Sequence, residues 1–298
     1  MQNFLKGNTD SLSDKASTLR LRSAEIADCL KSGSYRSHYR GHGMEFLGVR
    51  EYLSGDDVRT IDWNVTAKMG KPYVKMFEED HQLELFLIVD RSFSMFTGSL
   101  GKVKYEKAAE TAALLTIAAE MNDSPVGAVF FDGKIHFTVK QRSGRFQSML
   151  LLSRLDEASP KNNGSALKNA LTGAVQMLKN HAMIFVISDF RVSGWEEPFK
   201  KLAWKHDVTL IKITDPSELE LPEIGTVPFC DAETGERLML PTSYSPLKSM
   251  WRDEYRKRGE ALKKLAFSQG AGYVSISTEE DAVRILSRYF RERGGFKS

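Results

Sequence analysis

Cysteine is nearly missing from this sequence: Cys29 and Cys230 are the only two in 298 residues, far apart and without partners at metal-ligand spacing. Neither a disulfide framework nor a zinc ribbon can be assembled from them, and a reducing compartment is implied. Long apolar runs are missing too. The most apolar stretches, Leu83 to Val89 and Ala112 to Ala119, are far shorter than the ~20 residues a membrane helix requires. Met1 to Ser13 carries Asn, Thr, Asp and Ser where a signal peptide needs its apolar stretch, so a cytoplasmic location is expected. A dominant charge sign is also lacking. The net charge is +3, and within residues 1–83 twelve Lys or Arg balance twelve Asp or Glu. Glycine and proline number 22 and 9, too few for a collagenous or low-complexity chain.

What remains is the composition of an ordinary globular protein, 41% apolar and 27% charged. Its length allows one large or two modest domains at roughly 150 residues each. From Leu85 onward, short β-rich segments alternate with helical patterns. Strands are expected at Leu85 to Val89, Val126 to Phe131, Ile135 to Val139, Met183 to Ser188, Val208 to Ile213 and Gly272 to Ile276. The helical patterns between them are Tyr105 to Met121, Gly144 to Leu155, Ala166 to Lys179, Glu196 to Lys205, Lys248 to Gln269 and Glu279 to Glu292. This alternation predicts an α/β fold with a doubly wound, mostly parallel sheet.

Asp132-Gly133 is a hairpin signal, which makes Ile135 to Val139 an antiparallel edge strand. Thr234-Gly235, between Val227 to Asp231 and Arg237 to Leu240, predicts a second hairpin. That hairpin lies in an insertion at about 215–245, preceded by a Pro216 to Pro222 loop, and reads as a lid or docking surface. Residues 1–83 are expected as an N-terminal segment, with a helix around Leu19 to Leu30, packed on a domain of residues 84–298. Pro246 to Lys264 holds seven basic and three acidic side chains. With its aromatic residues not regularly interleaved, it reads as a solvated helix face before a nucleic-acid stripe.

The sharpest local feature is Asp90-Arg91-Ser92-Phe93-Ser94, directly after an apolar strand. Ligands of open α/β sheets sit beyond the carboxyl ends of strands. One acid and two hydroxyls at alternate positions offer three oxygens on one side of a turning loop, and hard cations such as Mg2+ take oxygen ligands. Two later segments complete the set: Ser165, before the helix from Ala166, and Asp189, at the end of the strand Met183 to Ser188. If the first and fourth strands lie side by side, Asp90 and Asp189 face one point. The competing reading makes Ser92, Ser94 and Asp189 simple turn and cap residues.

Asp90, Ser92, Ser94, Ser165 and Asp189 together resemble the metal-ion-dependent adhesion site of von Willebrand factor type A domains, written Asp-x-Ser-x-Ser, then Thr, then Asp. Ser165 stands where that family usually has Thr; the hydroxyl remains, without the methyl that stiffens its rotamer. The resemblance implies a Mg2+ site, with Mn2+ or Ca2+ as alternatives, and a protein partner that supplies an acidic side chain to an open coordination position.

A longer resemblance runs over about residues 35–290. Gly41-His42-Gly43-Met44-Glu45-Phe46, Arg50, Tyr52, Gly55-Asp56-Asp57-Val58-Arg59, Ile61-Asp62-Trp63 and Ala67 look like the hallmark of the bacterial family called domain of unknown function fifty-eight. Asp215-Pro216, Glu218, Pro222, Gly225, Asp231 and Glu233-Thr234-Gly235-Glu236 fit its downstream pattern. The resemblance implies a type A domain and a MoxR-type AAA ATPase as partner. From the residues alone, Gly55 to Asp57 is a turn capping a short helix, Arg59 is expected to pair with Asp62, and Trp63 to anchor the front segment.

Enzymatic readings find little support in the residues. A haloacid-dehalogenase-like phosphatase needs a second Asp where Ser92 stands. A P-loop fails because Phe96 and Val103 flank Gly101-Lys102 in the wrong places. Ser99-x-x-Lys102 lacks the companion motifs of acyl-transfer enzymes. Gly41 interrupts the helix that would align His38 with His42. The expected function is a noncatalytic, Mg2+-dependent interaction module. The alternative is a metal-dependent phosphoesterase using Asp90, Asp189 and the acidic run Glu78-Glu79-Asp80.

Overall fold

The computed structural model describes residues 12–32, 44–79, 83–99, 101–157, 162–220, 225–230 and 237–295. Two compact units emerge, one made of Met1–Tyr35 and Leu83–Ser298, the other of Arg36–Gln82. The N-terminal stretch expected as one piece is therefore divided. Its helix α1 (Leu12–Ser32) belongs with the larger unit, and residues 36–82 form a unit of their own.

The smaller unit is a two-stranded antiparallel ribbon of β1 (Met44–Glu51) and β2 (Tyr73–Glu79), connected through α2 (Trp63–Met69). Its acidic residues organise the turns. Asp56 takes both guanidinium nitrogens of Arg50 at 2.7 Å and accepts from Leu53 N. Asp57 caps the short helix Val58–Thr60 as expected, by accepting from Arg59 N. Asp62 caps α2 and has Lys75 as its ion-pair partner at 3.8 Å, rather than the expected Arg59. The cap commits one Asp62 oxygen to backbone N–H groups and leaves the other facing the neighbouring strand. Trp63, the first residue of α2, is 71% exposed.

In the larger unit the chain continues through β3 (Leu85–Asp90), α3 (Lys104–Met121), β4 (Val126–Phe131), β5 (Ile135–Arg142), α4 (Arg145–Asp156) and α5 (Leu167–Met177). It then runs through β6 (Met183–Ser188), α6 (Glu196–Lys205), β7 (Asp207–Thr214), α7 (Pro216–Leu219), β8 (Thr226–Cys230) and β9 (Arg237–Pro241). The last elements are α8 (Ser245–Ser268), β10 (Gly272–Ser277) and α9 (Ala282–Gly295). The main sheet has the order β10-β7-β6-β3-β4-β5, parallel except for β5. This is the doubly wound, mostly parallel α/β sheet that the alternation predicted.

Every residue of β3, β4 and β6 is buried, because helices cover both faces of a parallel sheet. Alternate residues divide between two cores. Leu85, Leu87 and Val89 pack with α1, α3 and α9 on one face, while Phe86 and Ile88 pack with α5, α6 and part of α8 on the other. Alanines at 108, 109, 112 and 113 let α3 lie close to the sheet. Ion pairs of Arg22 with Glu110 and Asp281, and of Arg291 with Glu25, join α1 to α3 and α9.

The Asp132-Gly133 hairpin forms as expected, and β8 pairs with β9 antiparallel; the Thr234-Gly235 turn itself lies outside the described residues. The expected Pro216 to Pro222 loop begins instead with the helical turn α7. Asp215 caps it and Pro216 occupies a first-turn position, where the missing N–H costs nothing. No helix among the described residues is long and apolar enough to cross a membrane.

His206, at the end of α6, is buried with both ring nitrogens lacking a hydrogen-bond partner. Burial, then His181 and Lys205, hold its pKa down at about 4. The folded state therefore binds fewer protons than the unfolded one, so this contribution is complete above about pH 6.5 and erodes as pH falls toward 4. We expect His206→Leu to flatten the acid-side loss of stability by on the order of 1 kcal/mol at pH 5, read from urea unfolding at pH 7 and pH 5. Parallel pH profiles for the two proteins would refute this.

A candidate metal centre at the carboxyl edge of the sheet

The chain builds the sheet outward from β3 in two directions. It passes from β3 to β4 and β5, returns across the other face through α5, and continues from β6 to β7 and β10. The reversal falls between β3 and β6, the crevice where ligands of doubly wound sheets bind. The two strands pair in register from Leu85 with Met183 to Val89 with Ile187. Asp90 and Asp189 thus leave adjacent strands at the same edge, as the sequence reading required.

Four of the five expected residues are joined by direct interactions, all buried. Asp90 accepts from Ser92 N at 2.9 Å and from the Ser188 hydroxyl at 2.6 Å. Ser92 Oγ and Ser94 Oγ lie 3.1 Å apart, and the Ser94 hydroxyl hydrogen-bonds Asp189. The loop is fixed by Arg91 N, which donates to Phe131 O at 2.6 Å, and by the short helix Phe93–Phe96. Just past Asp189, Phe190 adopts a left-handed φ of 55°, a conformation that costs a non-glycine residue and concentrates at functional sites.

The fifth residue, Ser165, arrives through a different device. Asp132, one residue beyond β4, accepts from Asn162 N and Nδ2 with its side chain and from Ala166 N with its backbone carbonyl. His136 Nε2 lies 2.6 Å from the same carboxylate. Gly133 permits this approach, since a Cβ there would stand 2.0 Å from Asn163 O. Asp132 thereby pins the 162–166 loop to the strand edge next to Asp90. The Ser165 hydroxyl is buried and has no hydrogen-bond partner. An orphaned buried hydroxyl is costly, so one placed at a ligand edge calls for a ligand.

The sequence reading did not anticipate Lys104. This residue, in the first turn of α3, is wholly buried, and its ammonium donates to Asp189 Oδ2 at 2.7 Å and to Glu218 Oε1 at 2.5 Å. Arg191 adds 3.1 Å to Glu218 and 3.8 Å to Asp189. Lys212 lies nearby with its ammonium 4.6 Å from the Tyr255 ring centre. The signal for Lys104 was a lysine on the same helical stripe as Ala108 and Leu115. Glu218 belonged to the family-like pattern, without a role.

These neighbours drive the two acids apart. Burial, then the negative charge of Asp189, raises Asp90 above the usual carboxylate range, despite hydrogen bonds from Ser188 and Ser92. Burial also opposes ionisation of Asp189, but Lys104, Arg191 and the Ser94 hydroxyl outweigh it and hold that carboxylate below its ordinary value. The edge therefore offers one carboxylate already compensated, one that is not, and three hydroxyls. No group of three or more His, Cys, Asp or Glu suited to a metal occurs among the described residues. Any cation here would rely on hydroxyl oxygens, which suits a hard ion that keeps some of its water.

A family model described as "Protein of unknown function DUF58" matches residues 48–263, well over half of the chain. The chain belongs to the DUF58 family. The match begins after Gly41 to Phe46, and His38, His42, His81 and Asp80 lie outside the described residues. Curated relatives include the uncharacterized protein Rv1480 of Mycobacterium tuberculosis, 29% identical over 97% of this chain and 93% of that one. The uncharacterized protein MAV169 of Mycobacterium avium is 28% identical over 52% of this chain and 93% of its own. Among solved structures, BatB from Bacteroides thetaiotaomicron is 18% identical with a TM-score of 0.46, covering 71% of this chain and 98% of that one. An aerotolerance-related membrane protein from Bacteroides fragilis is 17% identical at 0.47, covering 70% and 99%.

In this DUF58 protein, Lys104→Met removes the ammonium that two buried carboxylates share. We expect a loss of about 3–5 kcal/mol in unfolding free energy, the usual cost of breaking a buried pair. Adding Asp189→Asn and Glu218→Gln should recover most of it. Urea denaturation checks both, and a loss under about 1 kcal/mol for Lys104→Met would show the network to be of no structural weight.

Proposed function

We propose that this DUF58 protein is a noncatalytic interaction module in which Asp90, Ser92, Ser94, Ser165 and Asp189 hold Mg2+ and an acidic side chain of a protein partner completes the site. The observation that carries the reading is the orphaned, buried Ser165 hydroxyl, delivered by the Asp132-anchored loop to the edge where Asp90 and Asp189 lie on adjacent strands. A bound divalent ion would supply an electrophilic centre for a carboxylate. The protein's own part would be to present the oxygens of these five residues to the ion and to compensate Asp189 beforehand through Lys104.

The family resemblance extends the proposal to a MoxR-type AAA ATPase as the working partner, and the scarcity of cysteine to a cytoplasmic setting. Interaction is favoured over phosphoester hydrolysis because Asp189, held ionised by Lys104, is a weak proton acceptor. Ser92 cannot serve as a general acid. Of the acidic run that the hydrolytic reading enlists, Asp80 lies outside the described residues.

A ligand present at 100 times its Kd stabilises a fold by about 2.7 kcal/mol. Saturating Mg2+ should raise the unfolding temperature of the wild type, and the shift should vanish in Asp90→Ala and shrink in Ser165→Ala, with unchanged circular dichroism. Partner capture from the native cell should be lost on adding chelator and in Asp90→Ala. Capture indifferent to both would overturn the proposal.

A further inference from the structure

Glu218 sits in a receptor for carboxylates that the chain fills by itself. Its side chain is 8% exposed and is gripped from two sides. Lys104, with no exposure, closes the inner side, and Arg191, 46% exposed, closes the outer side and reaches solvent. An ammonium and a guanidinium converging on one carboxylate form a charge-assisted arrangement of high strength. Without Glu218, the cations Lys104, Arg191 and Lys212 would face Asp189 as their nearest acid, leaving excess positive charge beside the Asp90 edge.

The element that delivers Glu218 is slight. The helix α7 has four residues and ties to the body through its Asp215 cap. Asp215 accepts from Ser99 N and from the Thr278 hydroxyl. The Glu218 backbone N–H donates to Asp215 O within the turn, and its carbonyl accepts from Trp251 Nε1 at 2.8 Å. A side chain on a single turn can release its carboxylate without unravelling the sheet.

We propose that Lys104 and Arg191 form a carboxylate-binding subsite beside the metal-type edge, that Glu218 occupies it in the free protein, and that an acidic side chain of the partner displaces Glu218. This rests on the reading of the edge as an interaction site, but the subsite needs no metal. Its test is therefore run in chelator, and failure here leaves the Mg2+ titrations above untouched.

The full chain carrying Glu218→Ala is melted in acetate and in chloride of equal ionic strength. Acetate should restore several degrees to this variant by refilling the emptied position, do nothing to the wild type, and lose its effect when Arg191→Met is added. Equal acetate responses in wild type and Glu218→Ala, or a response that survives Arg191→Met, would overturn the proposal. The near-isosteric Glu218→Gln covers the event that the alanine variant does not fold. An acetylated, amidated peptide with one central Glu should bind it about tenfold more tightly than the wild type, because the competitor is gone, while the Gln version of the peptide shows no such preference. Equal affinities for the two proteins, or no binding to Glu218→Gln, would overturn it equally.

Discussion

A single ammonium group holds the functional edge of this protein together. Lys104 is wholly buried at the start of α3 and bridges Asp189, at the end of β6, to Glu218, on α7. Removing an ammonium and two carboxylates from water costs several kcal/mol per ion, which only close, multiple contacts offset. Arg191 supplies the additional contact and carries the network to the surface. Three elements distant in sequence are thus forced to one geometry, because none of the three charges tolerates burial without the others.

The same network explains why two aspartates on neighbouring strands behave in opposite ways. Asp189 has a fixed cation and stays ionised, whereas Asp90 is hydrogen-bonded only by hydroxyl and amide donors and is pushed upward by burial and by its neighbour. Environments that separate the proton affinities of paired acids give each a different task. Asp189 is bound into the scaffold, and Asp90 retains unmet demand for positive charge. The orphaned Ser165 hydroxyl states the same demand in neutral form.

Rigidity at this edge comes from the backbone as much as from charge. Asp132 and Gly133 turn β4 into β5 and also dock the 162–166 loop, so one hairpin serves both the sheet edge and the position of Ser165. Phe190 takes its left-handed conformation between Asp189 and Arg191, which aims the two side chains at the shared cluster. In the smaller unit the same economy recurs without buried charge: Asp56, Asp57 and Asp62 each tie down a turn or helix start.

The sequence by itself determined the strands of the main sheet, most helices of the larger unit and the antiparallel edge. Apolar runs such as Leu85 to Val89 and the Asp132-Gly133 turn are local signals that nothing distant overrides. Local signals also sufficed to place Asp90 and Asp189 at strand ends, though not to say which strands are neighbours. Tertiary structure alone decided the roles of Lys104, Glu218, Arg191 and Asp132, the pairing of Asp62 with Lys75 in place of Arg59, and the exposure of Trp63. The reason is physical: whether a charge is buried, and against which partner, depends on residues far away in the chain, 114 positions in the case of Lys104 and Glu218. No local periodicity records that distance.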